Sequence, residues 1–177
     1  MLRKTKVTMP ANFNLFPRFK VLEEWQRQTV AAFEIEAITT PSRLTSNKVL
    51  AAVRPGLESI GYTVETETRI RVPVLFGING KVEKFFEADA YHRELDVVLE
   101  VEAGRTVNNN AFLKDLFEAC AMQSAQHLVI AVCNQYEPPS AKGNPQQTFQ
   151  IVSGWMDTLF SSRRLEFPLQ SIMIIGY

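Results

Sequence analysis

The stretch 85–105, FFEADAYHRELDVVLEVEAGR, constrains this chain more than any other part of it. One acid, Asp89, sits in a first apolar run, and two more, Glu100 and Glu102, sit in the next. Side chains alternate faces along a strand, so Glu100 and Glu102 point one way and Val101 the other. Two carboxylates on one face of one strand repel each other, and the pair is tolerable where water, a cation or a metal ion neutralises it. The second run is apolar enough to be a central strand, where a solvated face is disfavoured. With Asp89 nearby, a divalent cation is the most economical explanation. An oxygen-only donor set favours Mg²⁺ or a similarly hard ion.

The rest of the composition sets bounds. A chain of 177 residues, 46% hydrophobic, has enough length for one domain with a real core. Its formal net charge is zero, so any nucleic-acid binding must come from a local basic patch. Lys48, Arg54, Arg69, Arg71 and the pair Arg163-Arg164 are the candidates. The two cysteines, Cys120 and Cys133, lie in apolar segments and read as reduced core residues of a cytoplasmic protein. Cys120 has no histidine placed to serve it as a nucleophile. The two histidines lack zinc-like spacing, His92 reading as a turn residue and His127 as structural. No apolar run reaches eighteen residues, so no membrane span is expected, and the basic N-terminus lacks the features of a signal peptide.

Along the chain, residues 1–18 read as an irregular arm carrying Pro10 and Pro17. Leu22, Trp25, Thr29 and Phe33 recur at helical spacing and predict a helix over 20–38. Thr39-Thr40-Pro41-Ser42 breaks it. A second helix begins near Arg43 or Ser46 on the stripe Val49, Leu50, Val53, Leu57, Ile60; Pro55 should kink or split it, and Gly61 ends it. Residues 62–72 and 84–91 read as strands joined by a turn at 77–80, and 95–102 as a third, central strand. Asn108 to Asn110 cap a helix to about Gln123, with Leu113, Leu116, Phe117 and Cys120 toward the core. Residues 127–133 form an apolar run expected of a strand buried on both faces. Residues 134–147 form a surface loop, 150–161 a helix and 170–176 a last strand. The whole is one domain, 1–177: an α/β fold with a mixed sheet and helices on both faces.

This order, with acids on the second and third strands of a meander, resembles the PD-(D/E)XK, or restriction-endonuclease-like, nuclease superfamily. Its core runs α-β-β-β-α-β, and the resemblance covers roughly 46–133. Glu102 stands where lysine is usual, so the sequence looks like the E-x-E variant seen in some type II restriction enzymes. The resemblance implies a metal-dependent endonuclease acting on DNA, in restriction, phage defence or repair. It implies that Asp89, Glu100 and the Val101 carbonyl hold Mg²⁺ or Mn²⁺. Glu102 becomes a ligand or general base, and Glu58, on the helix before the meander, an accessory acid. Ala88 stands where proline is usual.

Arg105, just past the third strand, is then placed to clamp a phosphate, and Lys114 on the next helix to supply the missing positive charge. A neutral chain meeting a polyanion favours a two-fold dimer that pools two basic edges. Two other classes stay open. One is a catalytically inactive protein of this fold that serves as a DNA-binding or protein-interaction subunit, which the charge balance and the absent lysine favour. The other is a glycosidase built on paired carboxylates, disfavoured because the aromatic residues fall on core stripes.

Overall fold

The computed structural model describes residues 10–18, 20–39, 44–104, 106–107, 110–137 and 145–177. The helix breaker at 40–42, Arg105, part of the Asn108 to Asn110 cap and the middle of the 134–147 loop lie outside them, as do residues 1–9 of the arm.

A six-stranded mixed sheet forms the centre. Its strands, in chain order, are β1 (Asn12–Phe16), β2 (Tyr62–Val64), β5 (Ala90–His92), β6 (Val97–Glu102), β7 (His127–Val132) and β8 (Ser171–Gly176), arranged in space β1-β8-β7-β6-β5-β2. β6, β7 and β8 run parallel, and the other pairs are antiparallel. β3 (Ile70–Phe76) and β4 (Val82–Ala88) form a separate two-stranded ribbon. The helices are α1 (Glu24–Ala32), α2 (Glu36–Thr39), α3 (Ser46–Ser59), α4 (Ala111–Ala121) and α5 (Thr148–Ser162). α4 carries the chain from β6 to β7 and α5 from β7 to β8, as parallel neighbours require. Among the described residues, no helix is long and apolar enough to cross a membrane.

Strand alternation sorts the core into two layers. Val97, Leu99 and Val101 of β6 pack with Val49, Val53 and Leu57 of α3 and with residues of α1 and α2. Val98 packs on the opposite face with Phe112 and Leu116 of α4 and Val152 and Met156 of α5. Glu100 and Glu102 have the parity of Val98, so they rise from the sheet on the α4 side.

Several expected elements divide differently. The strand expected over 62–72 becomes β2 and β3, because Glu65-Thr66-Glu67-Thr68-Arg69 offers no apolar side chain to bury. The strand expected over 84–91 divides at Asp89, where the chain passes from the ribbon to the main sheet. The helix expected over 20–38 breaks at Phe33: the Phe33 and Glu34 N–H groups donate to Val30 and Ala31, closing a tight turn that sends Phe33 into the core. The arm is not wholly irregular, since 12–16 pairs with the otherwise free edge of β8. Pro55 does not split α3, because both it and Ala51, whose carbonyl it frees, face solvent. His92 is a buried strand residue rather than a turn residue, and its Nε2 donates to the Ile60 carbonyl at 3.0 Å. His127 is structural as expected: Nδ1 meets Ser171 Oγ at 2.7 Å and the ring packs on Trp25.

The stripe of α4 is also set differently. Phe112 is fully buried, while Phe117, expected to face the core, is 72% exposed. Replacing Phe112 by alanine is expected to lower stability by about 3–5 kcal/mol. Replacing Phe117 should change it by less than about 0.5 kcal/mol. Urea denaturation of both variants measures this, and comparable losses would contradict the packing.

Candidate metal centre

β5 accompanies β6 only as far as the pair Ala90↔Leu99. Beyond that point β6 keeps β7 on one edge and has lost its strand partner on the other. Side chains seal the open edge. The Val101 N–H donates to Asp89 Oδ2 at 2.8 Å, and the Ala103 N–H donates to Ser46 Oγ at 3.0 Å. The main-chain carbonyl of Asp89 in turn accepts from the Glu65 N–H at 2.7 Å. A strand residue directs its N–H and C=O to the same edge, so the Val101 carbonyl shares that edge with the Asp89 carboxylate. Extending the β5–β6 register by one residue sets Asp89 opposite Glu100.

These residues line a cavity of about 420 Å³. Its floor is Glu100, Val101 and Glu102 of β6. The ribbon walls one side through Phe85, Phe86 and Glu87, and α4 the other through Lys114, Asp115 and Glu118. With Glu65 and Asp89, seven carboxylates line it against two cationic side chains, Arg69 and Lys114. Both cations already have partners. Arg69 lies 3.4 Å from Glu65 and 3.5 Å from Glu87, and Lys114 3.1 Å from Glu118.

So much uncompensated negative charge out of water raises the carboxyl pKa values. Glu100 is pushed well above the usual carboxylate range by burial, then by the charges of Asp89 and Asp115. Burial raises Asp89 too, although the Val101 N–H and the charges of Arg69 and Lys114 pull it back. Burial and then the Glu102 charge push Asp115 up to about 8. Glu102 is raised by burial while its contact with Asp115 opposes the rise, so the two carboxyls behave as one pair that holds a proton.

The structure brings Asp89, Glu100, Val101, Glu102 and Lys114 of the sequence-derived candidates to one cavity. Glu58 is not brought there. It is exposed at the far end of α3 from Ser46, roughly 18 Å along the helix axis. Arg54 is tied up in the fold, donating to the Glu65 carbonyl at 3.1 Å. Arg71 stacks on Phe85 with its guanidinium 4.2 Å from the ring centroid. Asp115 and Glu65 are additional. Asp115 was legible in principle, since it follows Phe112 by three residues and precedes Ala119 by four, the spacing of the buried stripe.

Among the described residues, no group of three or more His, Cys, Asp or Glu side chains is arranged to hold a metal ion by itself. Mg²⁺ does not require one, because it commonly keeps several waters and takes one or two carboxylates. The donors suit a hard cation. They are all oxygen, and Glu65 Oε2 and Asp115 Oδ2 are buried without a hydrogen-bond partner in the structure. No family model matches the chain, and no curated protein matches it.

The pH dependence of stability follows from the Asp115–Glu102 pair. Its folded pKa is raised, so between the ordinary aspartate range and about pH 8 the folded state holds a proton that the unfolded chain has released. Stability therefore falls as pH rises through that window. In chelator, the melting temperature should drop by roughly 5 °C or more from about pH 5 to pH 8, and Asp115→Asn should make the slope shallower, with Glu100, raised in the same direction, supplying what remains. Thermal melts across pH measure it. A variant with the wild-type slope, or a melting temperature that climbs with pH, would contradict the assignment.

Proposed function

We propose that the protein is a metal-dependent endonuclease that hydrolyses DNA phosphodiester bonds, with a restriction-endonuclease-like core. The order α3–β2–β5–β6–α4–β7 supports the fold, with the β3–β4 ribbon as an excursion inside the meander. The observation that carries the function is the meeting of Asp89, Glu100 and Glu102 with the open backbone edge at Val101 in one cavity. Mg²⁺ or Mn²⁺ bound there would supply a Lewis acid for the phosphate and lower the pKa of water.

The chain's own residues do the rest. Asp89 and Glu100 face each other across the β5–β6 step and supply the cation-binding carboxylates. Val101 fixes the Asp89 carboxylate through its N–H and offers its carbonyl at the same edge. Glu102, two residues beyond Glu100 on the same face, takes the proton of the attacking water, and the burial that raises its pKa makes it a stronger base than an exposed carboxylate. Lys114 brings positive charge from α4 in place of a strand lysine. It is largely exposed and can turn from Glu118 toward a phosphate. Binding of a polyanion to a neutral chain is served by a two-fold dimer.

One observation favours the alternative of a non-catalytic DNA-binding or interaction subunit: both cavity cations are already paired with carboxylates. Plasmid cleavage separates the two. With Mg²⁺ or Mn²⁺ the wild type should nick supercoiled DNA, and Asp89→Asn and Glu100→Gln should each lose about 100-fold or more. Glu166→Gln, at an exposed residue outside the cavity lining, should cleave normally. A folded wild type that binds DNA but leaves it intact with every divalent metal would establish the alternative.

A further inference from the structure

Residues 75–84, LFGINGKVEK, set four large apolar side chains and two lysines around a turn. They are the outer half of the β3–β4 ribbon. The inner half is anchored, with Val72 and Ala88 buried. Outward, Leu75, Phe76 and Val82 are exposed, and Ile78, in the turn itself, is 87% exposed. Single exposed apolar residues are ordinary, but a contiguous group of them marks a contact surface. The turn presents them in a defined shape. The Gly77 N–H donates to the Lys81 carbonyl at 2.8 Å, and Asn79 and Gly80 take left-handed φ values of 61° and 72°.

The register gathers these side chains on one face. Leu75 pairs with Lys84 and Phe76 with Val82, with an irregularity between the two pairs. Cross-strand partners share a face, and Val82 and Lys84, two apart on one strand, point the same way. The bulge therefore turns Leu75 and Phe76, adjacent in sequence, to that same side. Glu83, the one acid of this stretch, points to the other side, with its carboxylate against Gly77. The apolar face thus carries Lys84, with Lys81 in the chain beside it, and no acid. It continues the face of Phe86, which lines the cavity and holds Lys84 Nζ 5.3 Å from its ring centroid. Arg71 is paired with the cavity residue Glu87, and Phe76 lies five residues further out, roughly 17 Å, or about five base steps of a duplex.

We propose that the ribbon tip is a wedge that enters between base pairs of the DNA held at the cavity, and that the protein selects duplexes weakened by a bulge or mismatch. The inference rests on the proposed reading of the cavity as a site for DNA and names the class of duplex. Charge chooses the occupant. Lys81 and Lys84 suit a polyanion, whereas a second copy of the chain would bring the same charge to the contact. The apolar side chains choose the mode. Phe76 and Ile78 gain nothing from phosphates, and the apolar surface that a duplex offers lies mainly on the stacked faces of its bases. Apolar wedges of this kind unstack a base step and kink the duplex. Unstacking costs least where pairing is already broken, and that difference becomes selectivity.

Binding of the full chain to a fluorescein-labelled duplex, intact or with an unpaired bulge at its centre, tests this in chelator at one fixed salt concentration, without cleavage. A 2-aminopurine beside the bulge reports unstacking. The wild type should bind the bulged duplex about tenfold more tightly and raise the 2-aminopurine fluorescence. Phe76→Ser combined with Ile78→Ser should cut the preference to about twofold or less and suppress the rise. Val21→Ser, at an exposed apolar residue outside the ribbon, should keep both. Melting curves confirm that the variants are folded. Equal binding of both duplexes by the wild type, or a preference that the double variant keeps, would overturn the wedge and leave the proposed function standing. The predicted preference without cleavage under any divalent metal would support the wedge and overturn the nuclease reading. Binding to phosphatidylglycerol vesicles that the double variant loses, with no preference between duplexes, would assign the tip to a membrane surface instead. A folded wild type that binds neither duplex would overturn both proposals.

Discussion

The Asp89 carboxylate takes the Val101 N–H that a longer β5 would otherwise have taken, at 2.8 Å. With that bond in place, the chain leaves the ribbon, turns at Asp89 and enters the main sheet with its register on β6 set. The same substitution of side chain for strand leaves the Val101 carbonyl without a strand neighbour on that edge. It also brings Asp89 opposite Glu100. One hydrogen bond thus links the division of the sheet, the open edge and the clustering of acids. Ser46 at the start of α3 repeats the device one step further along, at Ala103.

The cost of the arrangement is electrostatic. Seven carboxylates share the lining with two cations that are already paired. Water can stabilise such charge only where it reaches, and Glu100 and Asp115 are largely withdrawn from it. Burial is the first cause of the upward pKa shift of each. The surrounding core is what makes it sustainable. β7 and β8 are buried along their whole length, and the two apolar layers above and below the sheet are continuous. Functional sites commonly concentrate such local costs against a well-packed scaffold.

Much of this was legible in the sequence, and the limits have physical causes. Alternation alone set Glu100 and Glu102 on one face, and the apolar run at 127–132 revealed a strand covered on both sides. The position of Asp89 between two sheets was not legible, because 84–91 reads as one uninterrupted strand and only the pairing partners change there. The stripe of α4 was read one residue out of phase. Phe117 looks like a core residue by type, yet Phe112 and Leu116 occupy the core and Asp115 comes with them. That shift hid the acid on the buried face. Glu58 failed for a related reason: α3 presents its first turn to the site through Ser46, and its last turn ends far from it.

The account depends on the carboxylates of the bend and of β6 facing a common cation. Anomalous scattering from crystals grown with Mn²⁺ tests that directly. The account predicts a Mn²⁺ peak in the cavity between the Asp89 and Glu100 carboxylates, with the Val101 carbonyl on the same side. Mn²⁺ peaks confined to surface acids, with the cavity holding only water and protonated carboxyls, would contradict it.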